Sequence, residues 1–344
     1  MDSLYTLFVF LISVSISLLI VLTKPLHASF SADTVQGDQK FHQGSIPRIG
    51  GVAIAISLLD GWAFFFREPL LAQIFLAGLP VFLTGLWEDI FKSVSSFRRL
   101  LAAIGSSFLF IFLTGTYFTS VDIYLFDLVF TALYLFPILT IIAVAALSNA
   151  INIIDGFNGL ASGSVVLMAL AIAVLGYQNG DMLVMQIALL FAASVAGFFV
   201  VNFPKGLLFL GDAGAYLNGY VLGVLAILLV ERNEQITPLV LLVIFAYPII
   251  ELLFSIYRKT LRKGHRPDQP DKVHFHMLVY RSYARKLAKN KLYQNSLAGG
   301  LMLCFSAFSL LVLLLFPVTR AGALMCFLLI LFVYLYLYKK MSLN

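Results

Sequence analysis

Thirteen residues between two long apolar runs, N-A-I-N-I-I-D-G-F-N-G-L-A at 149–161, hold three asparagines, one aspartate and two glycines. The polar members are Asn149, Asn152, Asp155 and Asn158. Carboxylate and amide oxygens suit Mg²⁺, a hard cation usually shared with substrate phosphates. Amides also read the edges of nucleobases. Polar groups at the edge of an apolar span are costly and mark functional sites. An ordinary polar turn accounts poorly for this density.

Four other polar segments flank apolar runs. P-R-I-G-G at 47–51 follows Lys40 and His42. Its paired glycines permit close backbone approach, and Lys40 and Arg48 suit phosphate, although an ordinary basic loop explains the segment as well. Glu88-Asp89 closes G-L-W-E-D-I and precedes Lys92, Arg98 and Arg99. Adjacent carboxylates repel, which raises one pKa and suits a proton acceptor or a metal environment. The helix dipole gives such a pair no structural reason to sit at a helix C-terminus. N-F-P-K-G-L-L-F-L-G-D-A-G-A at 202–215 puts Asp212 between two glycines at a predicted helix start. That is a place for an ion–phosphate group or for a plain N-cap. The fifth segment carries G-H-R-P-D-Q-P-D-K-V-H-F-H-M at 264–277. His274 and His276 lie two apart with no Cys nearby, unlike helical zinc spacing. Phosphate contact or proton transfer fits them better, and the surplus Lys and Arg around them suit anionic lipid.

The elements that must position these residues are membrane spans. Hydrophobic residues make up 61% of the 344, and charged residues only 12%, against about 25% in a soluble domain. A span needs about 20 mostly apolar residues. Eleven are predicted: 4–22, 50–66, 71–87, 100–118, 128–148, 162–178, 182–201, 214–230, 238–257, 297–316 and 322–338. The fold class is therefore all-α, a polytopic integral membrane protein forming one domain over 1–344. Its polar loops are 23–49, 88–99, 149–161, 202–214 and 258–296. No Lys or Arg precedes Lys24, so the first run reads as a retained span. With these spans, 20 of the 23 Lys and Arg fall on one side and only Arg67, Arg232 and Arg320 on the other. The positive-inside rule then places the N-terminus outside and the C-terminus in the cytoplasm. All five polar segments share the cytoplasmic side. The net charge of +6 belongs to membrane topology and implies no nucleic acid. Cys304 and Cys326 lie in apolar runs as small core residues.

Together the motifs, from about Asp33 to Met277, resemble the polyprenyl-phosphate N-acetylhexosamine-1-phosphate transferases. The resemblance rests on N-x-x-N-x-x-D-G-x-N-G-L-A, F-x-G-D-x-G and D-x-x-H-x-H in that order. It implies transfer of a sugar-1-phosphate from a UDP-sugar to undecaprenyl or a related polyprenyl phosphate, with release of UMP. It also implies Mg²⁺, with Mn²⁺ as a substitute, and a bacterial inner (plasma) membrane location with the active site facing the cytoplasm. Carried over by motif, Asp212 and Asn152 hold the metal and Asp155 sits beside the diphosphate. Phe209 stacks on uracil, with Asn158 and Asn202 near its edge and Asn149 also on the substrate. Lys40 and Lys92 contact phosphates. Asp89 or Glu88 accepts the lipid phosphate's proton. His274 and His276 hold the sugar or diphosphate side.

Three positions depart from the family pattern. Glu88-Asp89 replaces an Asp pair, which favours Asp89 as the base. Asn158 stands where many members have Asp. Met277 replaces the last His of H-x-H-H, which leaves the sugar open among GlcNAc, GalNAc, FucNAc and QuiNAc. Glu251, after Pro248, is expected to support the His segment. Phosphoryl transfer needs mostly positioning and charge neutralisation, so direct displacement and a two-step aspartyl route both stay open, as does assembly as a homodimer. A nucleotide-sugar or lipid-intermediate transporter is the competing class. Transporters gather polar groups near the midplane and often carry inverted repeats, whereas here these groups sit at one face and no repeat is visible. An inactive scaffold would not need Asp89, Asp155 and Asp212 together.

Overall fold

The computed structural model describes residues 2–33, 45–261, 273–315 and 319–343. In chain order, α1 is Asp2–Leu22 and α2 Lys24–Ser31. A two-residue antiparallel ladder follows, β1 Ala32–Asp33 with β2 Ile46–Pro47. Then come α3 Gly50–Phe64, α4 Pro69–Phe91, α5 Ser96–Thr114, α6 Tyr124–Ala132, α7 Phe136–Ile154 and α8 Leu160–Gln178. The chain continues with α9 Met182–Asn202, α10 Gly211–Arg232, α11 Val240–Ile244, α12 Ala246–Leu261 and α13 Phe275–Val279. A π-helical turn, Tyr280–Ala284, leads to α14 Arg285–Leu287, α15 Lys291–Leu315 and α16 Arg320–Ser342. Among the described residues, nine helices are long and apolar enough to cross a membrane. This is a multi-pass, all-α membrane protein.

The predicted second and ninth spans are not among those nine. The second is α3, only 15 residues long. The ninth is broken into α11 and α12. Pro248 explains the break, because a helical proline clashes with the carbonyl four residues back, here Ile244, where α11 stops. The predicted 128–148 span also shifts. Tyr134 adopts φ +53, so the chain turns between α6 and α7, and α7 begins with Pro137 in its first turn. Several helices outrun their apolar runs by about a turn. Asn149 and Asn152 therefore lie in α7 and Asn202 at the end of α9, rather than in the predicted loops, while Glu88 and Asp89 take the expected helix C-terminus in the last turn of α4.

Helix α10 is the axis of the bundle, with every residue from Gly211 to Val230 buried. Small residues let its neighbours approach. A Cβ on Gly219 would collide with the backbone of Leu147 and Ser148 in α7, and one on Gly223 would press on Val144. Gly219 and Gly223, one turn apart, thus form a small-residue stripe against α7. Such close backbone contact is the main source of helix affinity where lipid removes the hydrophobic drive. The N-terminus of α10 meets the C-termini of α4 and α7 at one end of the bundle, and the described parts of all five polar segments gather there.

Candidate active site

The site is built on the first turn of α10. Gly211 has φ +76, and a Cβ there would collide with the Arg48 carbonyl and the Asp89 carboxylate. Only glycine fits this entry. Asp89, 1% exposed, caps the turn from α4. Its Oδ1 accepts the Asp212 N–H at 2.8 Å and its Oδ2 the Ala213 N–H at 2.9 Å. A carboxylate at a helix N-terminus also meets the positive end of the dipole. Arg48 Nε lies 3.5 Å from Asp89 Oδ1. The Arg48 loop is itself pinned by backbone pairing: Phe209 N–H to Pro47 O at 2.8 Å, and Gly50 N–H to Phe209 O at 2.9 Å.

Asp212, also buried, collects the other groups. Its Oδ1 accepts Asn152 Nδ2 at 2.7 Å and Arg48 Nη2 at 3.2 Å. Its Oδ2 pairs with Arg99 Nη1. Arg99 also lies 5.7 Å over the Tyr216 ring, and the Tyr216 hydroxyl donates to Asn149 Oδ1 at 3.2 Å. Asp155 caps α7 beside this cluster. It retains some surface but sits deep among protein atoms. Burial pushes its carboxyl up to about 7, Asp212 adds to the rise, and Arg48 opposes it.

His276 is buried, with Nδ1 3.2 Å from the Tyr247 hydroxyl. Its Nε2 lies against Gly156, where a Cβ would be only 3.0 Å away, one residue from Asp155. The His274 ring stacks on it at 5.3 Å. Glu251 supports this segment, accepting from His274 Nδ1 at 2.8 Å and from the Phe275 N–H at 3.3 and 3.2 Å. Met277 is buried in the core.

Several other expected residues make contacts within the protein. Glu88 Oε2 accepts the Val94 N–H at 2.7 Å, closing the left-handed turn at Lys92. Lys92 Nζ donates to Ala32 O at 3.2 Å. Asn202 accepts the Gly159 N–H at 2.6 Å and donates to Leu208 O at 2.8 Å. Asn158 donates to Ser296 Oγ at 3.2 Å and to Pro204 O at 3.4 Å. Phe209 is half-buried at the rim. Lys40 lies outside the described residues. Sequence reasoning missed Arg99 and Tyr216 as site residues. Tyr216 lies one turn after Asp212, a spacing that puts both on one helix face.

Comparisons with known proteins identify the family. The description "Glycosyl transferase family 4" matches residues 71–230. The undecaprenyl-phosphate alpha-N-acetylglucosaminyl 1-phosphate transferase of Yersinia pestis is 30% identical over 256 residues, covering 71% of this chain and 68% of that one. The chain belongs to the polyprenyl-phosphate N-acetylhexosamine-1-phosphate transferase family. Other members include the probable undecaprenyl-phosphate N-acetylglucosaminyl 1-phosphate transferase of Bacillus subtilis, 28% identical over 78% of this chain and 75% of its own. The Thermotoga maritima relative of the same type is 29% identical over 74% and 73%. The matched stretch 71–230 includes Asp89, Arg99, Asn152, Asp155 and Asp212.

The donor set of this family member fits a hard divalent cation. Asp212 and Asp155 bring carboxylates, and Asn152 brings an amide whose oxygen becomes available on turning the group over. Two guanidiniums already compensate Asp212, so the site is arranged around concentrated negative charge. No cluster of three or more His, Cys, Asp or Glu occurs among the described residues. A cation held by Asp212 and Asp155 would keep coordination positions open for substrate phosphates.

Proposed function

We propose that the chain transfers an N-acetylhexosamine-1-phosphate from a UDP-sugar to undecaprenyl phosphate, with release of UMP. The reading includes Mg²⁺ dependence, a site facing the cytoplasm at the bacterial inner membrane, and a place at the start of surface-polysaccharide synthesis. It rests on one observation: the Asp212 cluster, with Arg48 and Arg99, lies at the end of a helix that also lines an apolar groove. That groove, of about 380 Å³, is walled by α7, α10, α11 and α12, including Leu147, Ile227, Leu242 and Leu253. Leu253 is 57% exposed, so the groove opens sideways. Leu147 and Asn152 are five residues apart on α7, about 7.5 Å along its axis. A prenyl chain lying in the groove with its head at the Leu147 end would have its phosphate beside the cluster.

In this reading an acceptor phosphate oxygen attacks the β-phosphorus of the UDP-sugar. The bond from that phosphorus to the bridging oxygen breaks, and the electron pair leaves with UMP. Mg²⁺, when bound through Asp212 and Asn152, supplies neutralisation of the diphosphate. Arg48 and Arg99 turn from Asp212 to the phosphate oxygens, where guanidinium forks are strongest. Asp89 holds the first turn of α10 in place, and its two oxygens already accept N–H groups. Asp155 is better suited than Asp89 to take a residual proton from the lipid phosphate, because both Asp89 oxygens are already engaged by backbone N–H groups. Phe209 at the rim offers a face for uracil. The relatives named as N-acetylglucosaminyl 1-phosphate transferases make GlcNAc the first sugar to test. Purified protein, a short-chain polyprenyl phosphate and a panel of UDP-sugars should release UMP with at least one N-acetylhexosamine donor. No UMP from any donor, with folded protein, would sink the proposal.

A further inference from the structure

The last helix, α16, reads by composition as a plain membrane span. Its inner face carries two tyrosines one turn apart; one hydroxyl reaches Glu251 beneath the His segment and the other the segment itself. Tyr334, fully buried, donates to Glu251 Oε2 at 2.9 Å. Tyr338 donates to the carbonyl of Val273, immediately before His274, at 2.9 Å. Glu251 in turn accepts from His274 Nδ1 and the Phe275 N–H. His274 is thus fixed twice, through its ring by the Tyr334–Glu251 chain and through its backbone by Tyr338. An ionised carboxylate only accepts, so Nδ1 carries the hydrogen and Nε2 is left for a ligand.

Rings lock the two tyrosines. Tyr334 meets Phe275 at 4.9 Å and Phe254 at 5.8 Å between centroids. Tyr338 meets Phe254 at 4.8 Å, and the Arg258 guanidinium lies 5.2 Å over its ring. Packing alone would be served as well by phenylalanine, and phenylalanine would leave the buried Glu251 oxygen and the Val273 carbonyl without these donors.

We propose that α16 is a positioning element of the transferase site, in which Tyr334 and Tyr338 hold Glu251 and the Val273 carbonyl so that His274 presents Nε2 to substrate. The role of His274 rests on the transferase reading above; the clamp itself does not. Tyr334→Phe and Tyr338→Phe keep the rings and remove the hydroxyls. Each should lower kcat by up to about 10²-fold, the cost of misplacing a contacting group, with KM for both substrates unchanged. The second readout needs no turnover. Diethyl pyrocarbonate modification of each histidine is followed by mass spectrometry. In both variants His274 should react several-fold faster, while His27, bonded to Ser31 and the Ile20 carbonyl on α1–α2, keeps its wild-type rate. Equal acceleration at His27 and His274, or no change at His274, overturns the proposal. Faster labelling of His274 alone, in a protein that transfers no sugar-phosphate, upholds the clamp and rejects the transferase reading.

Discussion

Asp89 holds Asp212 by its backbone, not by its side chain. The Asp212 N–H donates to Asp89 Oδ1 and the next N–H to Oδ2, which leaves the Asp212 carboxylate free for Asn152, Arg48 and Arg99. One carboxylate is a cap, and in the proposed scheme the other is the working group. Asp89→Asn replaces one acceptor with an NH₂ that faces a buried N–H. It should cost about 1–3 kcal/mol of stability as well as transfer activity. Glu88→Gln keeps the carbonyl oxygen that caps Val94 and should leave most of the activity. Thermal unfolding in detergent and UMP release, measured on both variants, separate the two roles. A dead Asp89→Asn protein of wild-type stability would restore Asp89 as a base.

Arg99 joins α5 to the Asp212 carboxylate and also donates to Ser96 Oγ at 3.0 Å. Lysine at this position keeps the charge and loses the fork. Arg99→Lys should reduce kcat/KM about 10²-fold, the usual cost of one preorganised charge-stabilising donor, with EDTA sensitivity retained. Asp212→Ala should abolish transfer, and EDTA should stop the wild type in UMP-release assays. Wild-type turnover in excess EDTA would remove the metal from the scheme.

Asp155 is held in a setting that penalises its charge, with its carboxyl raised to about 7. Between the unfolded value, about 4, and this folded value, the folded protein binds the extra proton. Stability from this group is therefore highest at low pH and falls as pH rises toward 7. Asp155→Asn should unfold at higher temperature than wild type at pH 8, by about 1–3 kcal/mol once partial exposure screens the effect. The difference should vanish near pH 4. Loss of transfer with a gain in stability at pH 8 is the signature of a functional carboxylate, and a loss of stability at pH 8 would contradict the assignment.

Much of this site was legible in the sequence because its members carry oxygen-rich side chains where apolar runs end. Asn152, Asp155 and Asp212 stood out for that reason, and the proximity of the 149–161 and 202–215 segments followed from their common side. Glu251 beneath the His segment was anticipated as well. Arg99 was not, since a basic residue at a helix start also satisfies the positive-inside rule. Residue type and position alone do not separate Asn152, which faces Asp212, from Asn202, which ties Gly159 to Leu208; only the motif resemblance gave them different roles. Both are asparagines at helix ends, and the pairing of distant backbone groups distinguishes them. Helix limits were misplaced because apolarity marks the hydrocarbon layer while the helix continues through the interface. The break at Ile244 was readable from Pro248, four residues on.

The opposite end of the bundle gives a test independent of catalysis. Asp181 caps α9, accepting the Val184 N–H at 3.2 Å, and pairs with Arg232 Nε at 2.8 Å and Asn233 Nδ2 at 3.2 Å. Burial acts to raise its carboxyl, but the Arg232 guanidinium, the Val184 N–H and the Asn233 amide outweigh burial and hold it below the usual carboxylate range. A lowered folded pKa means that this stabilisation is present above the unfolded value, about 3.9, and is lost as pH falls through the folded one. Asp181→Asn keeps one cap acceptor and loses the ion pair. It should lower stability by about 1 kcal/mol at pH 7, since the Arg232 side chain is substantially exposed. The gap should close as the pH falls below about 3 to 4. Transfer activity and EDTA sensitivity should stay at wild-type levels, because no residue of the Asp212 cluster touches this end. A matching fall in turnover would mean that the two ends of α10 are coupled.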